Sequence, residues 1–132
     1  MPLPITSFLV ALFSILMVLL SFQVSLRRIK AGNNSTNGSG DETLKRRIRA
    51  HGNFIEYAPL AAISVGLTEF ANGPRTLVFG LAVSFFASRV IHAFGMLYTS
   101  TPAARALAML IQHASFLVVG FWLAFHAAAY VR

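Results

Sequence analysis

Glu56, Arg89 and His92 are ionisable residues set among long apolar runs, with Asn53 as a further polar group. At the centre of a membrane helix each such ionisable group costs roughly 2.5–3.5 kcal/mol on insertion scales, so partners or a ligand must offset them. Helix periodicity says where they point. At about 100° per residue, Arg46, Arg49, Asn53 and Glu56 fall within roughly an 80° arc of one helix. Arg89, His92 and Met96 form a second stripe, at spacings of three and four, on the next helix. The two stripes amount to a cationic pocket with one buried carboxylate. That chemistry suits a small anion which also offers an ammonium group to Glu56. A structural role competes with it: Glu56 and Arg89 can neutralise each other as an ion pair across two helices, and such a pair is compatible with a nearby ligand site.

The elements that must carry these residues follow from composition. Of 132 residues, 56% are hydrophobic and 11% charged, where soluble domains are about a quarter charged. Residues 1–26 and 106–131 hold no acidic, lysine or arginine side chain, and about 20 apolar residues suffice to cross a bilayer. A soluble fold, a β-barrel and a disordered chain are all excluded. The expected class is an all-α, integral membrane four-helix bundle, a single domain over residues 1–132. Its spans are expected at about 5–26, 43–70, 75–98 and 102–130. Asn72-Gly73-Pro74 marks one turn. Thr99-Ser100-Thr101-Pro102 reads as an N-cap followed by proline at the first helical position. The stretch Gly32–Gly40 cannot sustain a helix, so a flexible loop is expected over 31–41. Pro59, three residues beyond Glu56, is expected to loosen its helix by freeing a carbonyl.

Charge then sets orientation. Seven of the eleven cations lie between Arg27 and Arg49, which the positive-inside rule places in the cytoplasm, with both termini outside. The N-terminus lacks the basic region and cleavage site of a signal peptide. The sequons at Asn33, Asn34 and Asn37 then lie on the cytoplasmic face, where they carry no meaning. On this topology Arg28, Arg49, Asn53, Glu56, Arg89, His92 and Arg105 share the cytoplasmic half of the bundle, and two helix N-termini point into the same region. The net charge of +7 does not signal nucleic acid, because the cations flank spans without interleaved aromatics. No cysteine is present, so disulfides, thiolate metal sites and a cysteine nucleophile are excluded. No metal is expected.

Other polar residues have plainer readings. Arg27, Arg28, Lys30, Lys45 and Arg47 are topology determinants and lipid-headgroup contacts. His51 points more than about 120° away from the Arg49–Glu56 arc and reads as a hydrogen bond between helices. His113 and His126 lack metal-ligand spacing and read as packing or interface residues, as do Tyr57, Tyr98, Trp122 and Tyr130.

The run Arg49-Ala50-His51-Gly52-Asn53-Phe54-Ile55-Glu56-Tyr57-Ala58-Pro59 resembles the signature of the MAPEG family, the membrane-associated proteins of eicosanoid and glutathione metabolism. Arg89-Val90-Ile91-His92-Ala93-Phe94-Gly95 is similar to that family's next conserved segment. The resemblance covers nearly the whole chain and is nearest to short bacterial members. It implies a homotrimer with glutathione bound between subunits. Arg28, Arg49, Asn53, Glu56 and His92 would hold glutathione, Glu56 receiving its ammonium, while Arg89 pairs with Glu56 and Arg105 stabilises the thiolate as the catalytic group. Met96, Ala106 and Gly52 stand where the prostaglandin-forming branch or other members have a tyrosine, a serine and a basic residue, which points away from eicosanoid synthesis.

The expected function is therefore a glutathione transferase or peroxidase that activates the thiolate against lipophilic electrophiles. The alternative is a non-catalytic lipid- or glutathione-binding scaffold of the same fold. Membrane lipids, glutathione, a lipophilic small molecule and copies of the chain itself are the expected partners. A bacterial inner membrane is the expected location. A small multidrug transporter fits less well, since residues 1–26 hold no acidic residue.

Overall fold

A computed structural model of the chain describes residues 1–31, 38–99 and 101–131. The sequon asparagines Asn33, Asn34 and Asn37, most of the expected flexible loop, Ser100 and the side chain of Tyr130 lie outside the described residues. The described residues form four helices joined by short turns: α1 (Pro4–Ala31), α2 (Glu42–Phe70), α3 (Arg75–Tyr98) and α4 (Ala103–Tyr130). At 1.5 Å per residue, even the shortest, of 24 residues, exceeds the roughly 30 Å of bilayer hydrocarbon.

Side chains at the helix ends fix how the helices meet. α1 continues past Leu26 to Ala31, which puts Arg28 and Lys30 on its last turn, where cations complement the helix dipole. Asp41 caps α2 by accepting from Leu44 N at 3.0 Å. The same carboxylate accepts from Arg27 Nε at 2.8 Å and Nη2 at 3.2 Å, so one residue ties the end of α1 to the start of α2. Arg47 donates to Gln23 O at 2.8 Å across the same junction. At the other end of the bundle Glu69 caps α1. Its Oε1 accepts from Ile5 N at 3.0 Å, and its Oε2 from Thr6 N at 2.8 Å and Thr6 Oγ1 at 2.6 Å. These satisfy backbone donors that a helix start otherwise leaves open.

The α2–α3 turn requires its glycine. A Cβ on Gly73 would sit 2.8 Å from Thr68 O and Thr68 Cγ2, while Asn72 takes the left-handed conformation with φ 54°. Before α4, Pro102 occupies the cap position with no side-chain hydrogen bond, one residue earlier than the first helical position expected for it. α2 runs unbroken through Pro59.

α1 packs on α2 and α3, α4 packs on α3 and α2, and α1 and α4 do not meet among the described residues. The core is made of Phe13, Phe54, Val65, Phe85 and the alanines 50, 58 and 61. Phe13 meets Phe54 edge-on at 5.5 Å, and Phe85 tilts against Phe116 at 4.9 Å. The small residues on α2 let its neighbours approach closely. α4 buries only a narrow stripe, Ala108, Gln112, Ser115 and Val119, and turns Leu107, Leu110, Leu117, Phe121 and Phe125 outward. An apolar exterior over a bundle with buried polar groups suits lipid as the surrounding medium.

Three helices, α1, α3 and α4, are long and apolar enough to cross a membrane. The remaining span expected from the sequence, at about 43–70, falls on α2. α2 is just as long, but its first half carries Glu42, Lys45, Arg46, Arg47, Arg49 and Glu56. It lies along the bundle with its apolar stripe buried against the other helices rather than apolar all round. The chain is an all-helical integral membrane protein.

Candidate functional site

Where α2 and α4 begin and α3 ends, the three helices enclose an open cavity of about 620 Å³. α2 contributes Arg49, Gly52, Asn53 and Glu56; α3 contributes His92 and Met96; α4 contributes Arg105, Ala106 and Met109. A smaller cavity of about 220 Å³ adjoins it, sharing Arg49, Met96 and Arg105 and adding Glu42, Arg46 and Thr99. Residues separated by more than 50 positions in sequence thus face one space. Arg28 is not among them; it sits exposed on the last turn of α1.

Arg105 reaches the cavity because Gly95 has no side chain. A Cβ there would lie 3.1 Å from both Ala104 Cβ and Arg105 Cγ, and 3.3 Å from Arg105 N. The first turn of α4 rests on that bare backbone and projects its arginine inward. The guanidinium donates from Nη1 to Met96 Sδ at 3.5 Å, a weak acceptor, while its buried Nε has no partner. No carboxylate neutralises it among the described residues. Its neighbour Arg46 is better occupied, donating to Thr99 O at 3.2 Å and lying 3.6 Å from Glu42.

Behind the cavity Arg89 is 2% exposed. Its Nη1 donates to Asn53 Oδ1, and also to Asn53 O at 3.5 Å. Its Nε points to Ser88 Oγ at 3.4 Å, its Nη2 to Met109 Sδ at 3.9 Å, and its carbon lies 5.0 Å above the Tyr57 ring. The expected Arg89–Glu56 ion pair does not form. Asn53 and Glu56 are three residues apart, so they diverge by about 60° around α2. Asn53 faces α3, and Glu56 turns to the exposed rim of the cavity. A buried guanidinium is held here by an amide, a carbonyl, a hydroxyl and a π face instead of an opposite charge.

Several neighbours escaped the sequence. Met109 accepts from both Asn53 Nδ2 and Arg89, at 3.9 Å each, which a residue without charge or motif does not announce. Tyr57 serves Arg89 as well as packing edge-on against His113 at 6.1 Å. Ser88 and Gln112, both fully buried, meet at 2.6 Å and join α3 to α4. His51, expected to hydrogen-bond a neighbouring helix, has a buried Nε2 with no partner. His113 Nδ1 meets Met109 O at 2.7 Å, and His126 stacks on Trp122 at 4.6 Å. Among the described residues no three metal-ligating side chains come together.

The fold and this cavity define a class: a small helical membrane protein with a polar, largely cationic chamber at one end of the bundle. Comparison with known families narrows it. Residues 6–125 match the family model described as the MAPEG family, and the chain belongs to that family, which is associated with eicosanoid and glutathione metabolism. No curated protein and no solved structure matches it.

Proposed function

We propose that the protein binds glutathione in the cavity beneath Arg105 and uses it as a co-substrate, as a transferase or peroxidase acting on lipophilic electrophiles. The observation that carries this reading is that Arg49, Glu56 and Arg105 line one opening while Arg105 lacks a countercharge. Glutathione offers two carboxylates, an ammonium and a thiol. Arg49 and Asn53 suit a carboxylate, Glu56 at the rim suits the ammonium, and His92 lines the inner wall. Arg105 and the helix start beside it lower the thiol pKa, favouring the thiolate.

In transfer, the thiolate sulfur forms a bond to an electrophilic carbon, and the leaving group departs with its bonding electron pair. In peroxide reduction, the sulfur attacks the distal oxygen and the O–O bond breaks to alkoxide, which takes a proton to become an alcohol. A second glutathione then forms the disulfide and releases water. This chain contributes position and electrostatics to both.

The remaining expectations join this proposal. The cavity opens to the cytoplasm of a bacterial inner membrane, both termini lie outside, and three copies assemble so that Arg28 serves a neighbour's cavity rather than its own. A second reading, a lipid- or glutathione-binding scaffold, draws on the lack of a hydroxyl at Met96 and Ala106, which leaves Arg105 the main thiol-activating group. Turnover with an aryl halide separates the two. Arg105→Ala should lower turnover by about a hundredfold with little change in glutathione affinity; an unchanged turnover number removes Arg105 from the chemistry.

A further inference from the structure

At the end of the bundle opposite the Arg105 cavity, α1 and α3 flank a groove of about 800 Å³. Its walls include Phe8 and Leu12 of α1 with Phe79, Val83 and Phe86 of α3, and its mouth holds Glu69 and Arg75. The two charges at the mouth differ in how they are used. Both oxygens of Glu69 already accept from the start of α1. Arg75 is exposed and makes no hydrogen bond or ion pair among the described residues. An unengaged guanidinium therefore stands at the head of an apolar channel.

The dimensions select among occupants. From Arg75 to Phe86 the groove follows α3 for about 16 Å, which is close to one leaflet of the roughly 30 Å hydrocarbon. The outward exposure of Phe8, Phe79 and Val83 opens the groove sideways to lipid. A guanidinium matches phosphate geometry and charge. We propose that the α1–α3 groove is a binding site for an anionic phospholipid of the adjacent leaflet, with its phosphate on Arg75 and one acyl chain between Phe8 and Val83. This site is independent of the glutathione cavity.

Native mass spectrometry of the purified protein tests it, with added phosphatidylglycerol or phosphatidylcholine of identical acyl chains. Wild-type protein should retain phosphatidylglycerol about tenfold better, the size of one charged hydrogen bond. Arg75→Gln should abolish that preference. Val83→Trp, at an exposed wall position, should reduce retention of both lipids while glutathione binding persists as a check on folding. Equal retention of the two lipids by wild-type protein would mean ordinary annular lipid and overturn the site. So would undiminished preference in Arg75→Gln. A change of oligomeric mass in Val83→Trp without a change in lipid retention would assign the groove to a second copy of the chain, and the lipid site would fall.

Discussion

A guanidinium buried in a membrane protein without a carboxylate is held by whatever the nearest helix presents, and for Arg89 that is Asn53. Asn53→Leu should cost about 1.5–3 kcal/mol, the range for a lost hydrogen bond to a charged group. Asn53→Asp supplies the countercharge that Glu56 does not and should retain wild-type thermal stability in detergent. Equal destabilisation by both would mean that Asn53 matters for packing alone. Gly95 raises a different question, one of space. Gly95→Ala forces α3 and α4 apart beside Arg105 and should cost about 1–3 kcal/mol by overpacking. Its turnover should fall well beyond what the lost folded fraction explains, because Arg105 moves with the helix. Turnover per folded molecule equal to wild type would show that Arg105 tolerates the displacement. Periodicity placed Asn53 and Glu56 in one arc but could not choose between them as partner to Arg89. Their 60° separation matters only once α3 is in place.

At the scale of helices, the long apolar runs made the all-α membrane architecture readable. The polar first half of α2 keeps that helix less apolar than the other three, because several of its polar side chains line the cavity while its apolar stripe packs against its neighbours. The junctions were illegible. Nothing in the composition joins Asp41 to Arg27, or Glu69 to Thr6, 63 positions away. The first of these junctions has a pH signature. The Arg27 guanidinium, followed by the Leu44 amide, holds the Asp41 carboxyl below its ordinary value of 3.8. A carboxyl with a lowered folded pKa stabilises fully above its unfolded value, and that contribution disappears as pH falls through the folded one. Amide exchange in the first turn of α2, corrected for intrinsic rates, should therefore accelerate on acidification below 3.8. Asp41→Asn keeps a cap but carries no charge, so it should show no such step; a matching step in that variant would trace the effect to another carboxylate.

Across the whole molecule, the convergence of Arg49, Asn53, Glu56, His92 and Arg105 on one cavity joins residues from three helices. The span-two motif made the family legible, since its residue types at fixed spacing are specific. The cavity's open side, the dependence of Arg105 on Gly95 and the place of Arg28 outside the cavity follow from packing that no single helix encodes. The central claim is that this cavity binds glutathione through its charges. Calorimetric titration of the detergent-purified protein with glutathione, alongside Glu56→Gln and Arg49→Ala, tests it most directly. Saturable binding by wild-type protein, weakened about tenfold or more in each variant, is the predicted result. No binding to folded wild-type protein, or equal affinity in all three proteins, would contradict it.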